Sequence, residues 1–294
     1  MFYPYLCTRF KNLINKTNYN MSDKPQDSIL VPIDSTEQTI IALQQTYNLA
    51  RLTNSKIVLM SVDEGEPPFV QNRLAECAKE ASAKSGQPVE TMMREGNVYE
   101  EIIKVADVIN PIFIVIGLSS KITAGKIIGK NAFKMVRESR HPIITIRGKE
   151  HREGCKTILL PLDLTKETRE KVDKAIALAK LFNATIRVIS IMNTTDEEFE
   201  NKLISHSNQV WKRIKEEGIK CSIKTLRGKD VAQMVLDYGK EVDADLIMIM
   251  SKAELSVKEF FIGTVAQHII NESEIPVLSY RPMERKDTTV FHPY

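Results

Sequence analysis

The chain has 294 residues, 43% hydrophobic and 27% charged, the composition of a folded globular protein, and at about 150 residues per domain this predicts two domains. Lys and Arg number 41 against 38 for Asp and Glu, but the excess lies in the first twenty residues, which carry Arg9, Lys11 and Lys16 and no acid; the body is neutral, which argues against a nucleic-acid-binding face. No apolar run reaches the roughly 18 residues of a membrane helix. Cys7, Cys77, Cys155 and Cys221 have no C-x-x-C spacing, so reduced thiols in a cytoplasm are expected.

Residues 1–26 read as a disordered leader or an upstream extension of the reading frame, with Met21 as the start. The segment lacks the apolar core of a secretory signal. An organelle-targeting role is the alternative, since it is basic and acid-free, although it shows no amphipathic period.

From residue 28 onward, short apolar runs alternate with segments of helical period. Strands are predicted at 28–33, 56–62, 88–94, 112–117 and 142–147, and helices at 37–53, 69–85, 97–108 and 129–139. The set then repeats, with strands at 157–162, 185–191, 219–226, 245–250 and 276–281 and helices at 166–182, 195–217, 230–241 and 263–273. In the helix 195–217 one stripe carries Phe199, Leu203, Val210 and Ile214, as a helix lying on a sheet requires. Residues 28–64 and 157–193 align without a gap, setting Pro32, Asp34, Thr36 and Thr39 on Pro161, Asp163, Thr165 and Thr168. The repeat is far longer than a solenoid unit and marks a duplicated domain.

Strand–helix alternation with continuous apolar strands predicts an α/β fold of two tandem doubly wound sandwiches. Each is a five-stranded parallel sheet, order 3-2-1-4-5, with helices on both faces. The expected domains are 27–148 and 157–282, with a polar linker at 149–156 and a tail at 283–294. The last strand of each unit is a sheet edge whose open backbone groups need cover. Pairing the two edges about a pseudo-twofold axis would give an internal pseudo-dimer; further homodimerisation and a protein partner stay open.

In such a sheet a ligand lies beyond the carboxyl ends of the strands, where strand order reverses. That places Asp34 and Asp163, after the first strands, opposite the loops 117–129 and 250–263, after the fourth. Two units of about 120 residues, each with a "PID" or "PLD" first strand, a loop after the fourth strand and a Pro-led fifth strand, resemble tandem universal stress protein domains. The resemblance implies ATP or AMP as ligand, held by G-x2-G-x9-G-[ST] after the fourth strand, with the aspartate near the nucleoside. Carried onto this chain, the first copy offers Pro32, Asp34, Gly117, Ser120, Gly129 and Lys130. Ser120 replaces a glycine, the loop is one residue short, and Lys121, Lys126 and Lys130 supply charge. The second copy offers Asp163, Gly263 and Thr264, with Met250 and Ala253 in place of the first two glycines. Nucleotide binding is therefore expected in the first copy rather than the second.

Each feature also has a structural reading. Asp34 is a candidate N-cap for the helix that follows it, with capping at Asp163 passing to Thr165. Gly263-Thr264 reads as an ordinary helix start. Trp211 and the methionines read as core filler. His141, His151, His206, His268 and His292 show no paired metal-ligand spacing, so no metal is expected. No nucleophile–base motif is evident and no catalytic residue is assigned. Three functions follow: a non-enzymatic stress-response module that binds an adenine nucleotide, a nucleotide-free interaction scaffold, and an enzyme on a related α/β fold. The third is disfavoured because neither "VPIDSTEQ" nor "LPLDLTKE" carries the H-x-G-H or S-G-G-x-D-S type of motif such enzymes need.

Overall fold

The computed structural model describes residues 26–34, 36–63, 69–118, 135–148, 154–164, 168–250 and 260–281. The expected leader up to residue 25, the linker residues 149–153 and the tail 283–294 lie outside the described residues.

The first half runs β1 (Ser28–Pro32), α1 (Glu37–Thr53), β2 (Lys56–Asp63), α2 (Phe69–Ser85), β3 (Val89–Glu95), α3 (Val98–Ile109), β4 (Phe113–Gly117), a helical stretch at 135–138, and β5 (Ile143–Ile146). The second runs β6 (Thr157–Leu162), α4 (Thr168–Phe182), β7 (Thr185–Met192), α5 (Glu197–Glu216), β8 (Cys221–Arg227), α6 (Val231–Glu241), β9 (Leu246–Met250), α7 (Phe260–Glu272) and β10 (Val277–Tyr280). Local chemistry sets many of these bounds. Asn97, Asp196 and Asp230 accept from backbone N–H groups at the starts of α3, α5 and α6. Asn54 and its repeat mate Asn183 both stand just past a helix in the left-handed region, φ 51° and 54°, which asparagine tolerates better than most residues.

All ten strands form one sheet, order β3-β2-β1-β4-β5-β10-β9-β6-β7-β8. Within each half the neighbours are parallel and follow the expected 3-2-1-4-5 order. The halves join where β5 and β10 pair antiparallel, Thr145 with Val277, Ile144 with Leu278 and Ile143 with Ser279. Ile144 and Leu278 are repeat mates, and the two flanking pairs exchange mates across them. The pseudo-twofold axis therefore passes through the Ile144–Leu278 pair, and each half covers the other's open edge. The central strands are buried on both faces: β1, β4 and β9 expose no residue. One core lies under α1 and α4 and a second under α3 and α6.

Two expectations are corrected. Helix α7 begins at Phe260, three residues ahead of Gly263; Ile262, Ala266 and Ile269 keep a three-to-four-residue apolar spacing through the glycine, and one glycine inside a helix costs only about 1 kcal/mol. Trp211 is 40% exposed and is not core. It stands one position off the buried stripe Leu203, Ser207, Val210 and Ile214, beside the outer strand β8, where its Nε1 donates to Cys221 O at 3.3 Å. Among the methionines Met60, Met135 and Met248 are buried, whereas Met93 on edge strand β3 is exposed. Cys77, Cys155 and Cys221 are free.

Candidate functional site

The crevice arises from strand geometry. β1 pairs with β4 only at Ile29 and Leu30, although β1 continues to Pro32 and β4 to Gly117. Proline has no N–H to offer a neighbour, so it fits the end of a strand where pairing on one side has stopped. Above Leu30 the strands part, with Asp34 on one lip and Gly117 on the other. β6 and β9 repeat this arrangement, pairing only at Ile158 and Leu159.

In the first half Asp34 is locked by its own turn. Its Oδ1 accepts from Thr36 N at 2.7 Å, Thr36 Oγ1 at 2.6 Å and Thr39 Oγ1 at 3.0 Å. Asp34 is not the N-cap of α1. That position is Thr36, φ −85° and ψ 150°, which makes no side-chain capping bond because its hydroxyl is turned back to Asp34. Among the described residues Oδ2 of Asp34 has no recorded partner, and the side chain is half-buried. One oxygen is thus anchored by three donors and the other stays available to an incoming donor.

The second half uses the same parts differently. Asp163 Oδ1 accepts from Thr168 Oγ1 at 2.7 Å. Its Oδ2 lies 4.0 Å from Lys171 Nζ, and that ammonium donates to Pro161 O at 2.6 Å. Lys171 is only 4% exposed and stands where the first half has Ala42. A buried cation from the protein itself thus lies beside the aspartate of the second half. Lys171 escaped the sequence reading, although a charged residue in the buried stripe of α4, opposite an alanine in the other copy, was its signal.

Gly117 has a structural duty of its own. A Cβ there would fall 2.3 Å from Gln38 O and 2.7 Å from Thr39 N, so the first turn of α1 rests directly on this glycine. The second half has Met250 at the matching position, 9% exposed, and that close approach is closed to it. Ser120, Gly129 and Lys130 lie outside the described residues, as does Thr165. Gly263 and Thr264 are the fourth and fifth residues of α7, inside its first turns rather than ahead of them. Among the described residues no group of three or more His, Cys, Asp or Glu could hold a metal ion, and no helix is long and apolar enough to cross a membrane.

Two doubly wound parallel sandwiches, joined edge to edge and each parted at its switch point, define a tandem α/β protein. The sequence profile of the Universal stress protein family matches residues 26–147 and again 154–281, and the chain belongs to that family. A Staphylococcus saprophyticus protein assigned to it is 27% identical over 142 residues, 44% of this chain and 85% of its own length. A universal stress protein of Archaeoglobus fulgidus superposes with a TM-score of 0.69 at 18% identity, covering 88% of this chain and 97% of its own. A Pseudomonas aeruginosa structure assigned to the family gives 0.64 at 20% identity, covering 87% of this chain and 94% of its own. At these identities the superpositions bear on the fold alone.

Proposed function

We propose that the first half binds an adenine nucleotide, ATP or AMP, in the crevice between β1 and β4, and that the protein acts as a non-enzymatic, nucleotide-responsive stress module of the cytoplasm. The observation that carries this reading is the contrast between the two aspartates. Asp34 is fixed through Oδ1 and keeps Oδ2 available for a ribose hydroxyl or base amine, whereas Asp163 faces the buried ammonium of Lys171. In this reading Pro32 and Gly117 border the ligand, and Ser120, Gly129 and Lys130 receive the phosphates. The second half, with Asp163, Gly263 and Thr264, serves as a built-in partner and takes no nucleotide.

Calorimetric titration of the full chain with ATP is the test. Asp34→Ala should weaken binding at least tenfold and Gly129→Val should abolish it, while Gly263→Val leaves affinity unchanged. Loss of binding in Gly263→Val, with wild-type affinity in Gly129→Val, would move the site to the second half.

The second reading is a nucleotide-free interaction scaffold. It is favoured by the packing of α1 on Gly117, which accounts for that glycine without any ligand. Mass spectrometry of small molecules released on denaturing freshly purified protein separates the two. No released nucleotide, together with no heat on titration, would establish the scaffold.

A further inference from the structure

The sheet ends in two strands with one neighbour each, β3 and β8, and the two open edges differ in chemistry. In β8, Lys220 O accepts from Ile186 N at 2.9 Å and Gly228 N donates to Met192 O at 3.1 Å. Backbone groups alternate along a strand, so Cys221, Ile223, Thr225 and Arg227 turn their N–H and C=O away from β7 to the open edge. Helix α5 is tied to both ends of this strand: Trp211 Nε1 donates to Cys221 O at 3.3 Å, and Arg227 Nη2 to Glu200 Oε2 at 2.7 Å. Between the ties Ile204 and Trp211 stand two turns apart on one helix face, 43% and 40% exposed. Among the described residues of α2, which packs on β3, no large apolar side chain is exposed. Charge separates the edges further. Lys215, Lys220 and Lys224 are exposed and have no carboxylate partner among the described residues. Burial raises the Cys221 thiol to a pKa of about 11 although Lys215 and Arg187 both pull it down, so two cations converge on the start of β8. Glu200 is committed to Arg227, and Glu217 to Lys180 and Arg213. On β3, by contrast, Glu90 pairs with Lys56 at 2.7 Å and Glu95 follows Arg94.

We propose that the open edge of β8 is a docking site for an extended, acidic segment of a partner protein, which adds a strand to the sheet. Its main chain bonds to the outward groups of Ile223 and Thr225. Side chains alternate between the two faces of a strand, and the faces here differ. Cys221 and Ile223 lie on the α5 side, with Trp211 and Ile204 nearby. Leu226 lies on the α6 side, which Ser222 and Lys224 share by the same alternation, and Arg187 Nη1 reaches Ser222 Oγ at 2.8 Å. A segment that alternates apolar and acidic residues matches both faces at once. The β8 strand of a second copy fits poorly, because it would set lysine against lysine. Lysine on an edge ordinarily guards against indiscriminate pairing; here it acts as a filter that refuses basic strands and admits acidic ones. The inference does not depend on nucleotide in the first half.

The probe is a capped peptide of alternating glutamate and valine, about eight residues long, titrated into the full chain and followed by the fluorescence of Trp211, the chain's one tryptophan. It should bind saturably and weaken severalfold between about 50 and 500 mM salt. A lysine–valine peptide of the same length should bind at least about tenfold more weakly, and Lys220→Glu combined with Lys224→Glu should reverse that preference. Thr225→Pro removes an outward N–H without touching the ladder to β7, a position at which an edge strand tolerates proline. It should cost the glutamate–valine peptide at least about tenfold in affinity while far-UV circular dichroism stays unchanged. If Thr225→Pro does not fold, the double lysine variant decides alone. Equal binding of the two peptides, or charge reversal without effect, overturns the proposal. So does a chain that ignores both peptides and dimerises through this edge, the dimer being lost in Thr225→Pro on sedimentation. Quenching of Trp211 by an oligothymidylate but by neither peptide would also overturn it and assign the basic edge to nucleic acid.

Discussion

A cavity of about 60 Å³ lies at the seam between the halves, bounded by Gln45, Leu49, Phe113, Ile146, Leu178 and Leu278. Its position follows from broken pseudo-symmetry. The repeat mate of Ile146 is Tyr280 and that of Gln45 is Lys174. On their side of the axis the Tyr280 ring is 2% exposed, with Lys174 Nζ 4.7 Å from its centroid; burial raises the phenol's pKa above its ordinary value and keeps it neutral. The first half sets smaller side chains at both positions and leaves space. Ile146→Phe should fill part of it. At about 24 cal/mol per Å³, a 60 Å³ cavity represents about 1.4 kcal/mol at most, which for a protein of this size raises Tm by about 2 °C. The opposite change, Tyr280→Leu, should open a comparable void and cost about 2–4 kcal/mol. Differential scanning calorimetry of both variants measures the pair. A fall in Tm for Ile146→Phe of more than 2 °C, on the order of the overpacking penalty, would refute the assignment of this void to the missing ring.

Gly117→Ala should destabilise the fold by more than about 2 kcal/mol in urea unfolding, because its Cβ would fall 2.3 Å from a backbone oxygen that cannot swing aside; a change within about 0.5 kcal/mol would show that α1 shifts freely. Lys171→Met should cost about 1–3 kcal/mol by the same assay, since it removes the donor to the Pro161 carbonyl and the cation facing Asp163; a neutral result would mean that the buried ammonium holds nothing together. Burial lowers the pKa of His141 below its ordinary 6.5, against the opposing pull of Asp107, whose Oδ1 lies 3.4 Å from Nε2. The unfolded chain then binds the proton more readily, so this contribution to stability is complete above pH 6.5 and declines as pH falls from 6.5 toward the lower folded-state value. His141→Ile, which copies its mate Ile275, should flatten the stability profile in that window, and an unaltered slope would assign the pH dependence to other groups.

Much of the architecture was legible because burial leaves a period in the sequence. The helices Glu37–Thr53 and Phe69–Ser85 end where their apolar pattern ends, and the repeat itself implied the edge pairing of β5 with β10. The matched pairs Asp34 with Thr39 and Asp163 with Thr168 were visible as repeated letters, and they prove to be the same hydrogen bond made twice. What the periodicity could not carry is any relation between residues distant in the chain. The start of α7 ahead of Gly263, the support of α1 by Gly117, the ammonium of Lys171 beside Asp163, and the ring of Tyr280 against the void beside Ile146 all depend on which atoms meet after the sheet is wound and the halves are joined. A local pattern records that a position is buried. Only the tertiary structure decides against what, and that choice makes two nearly superposable halves different in chemistry.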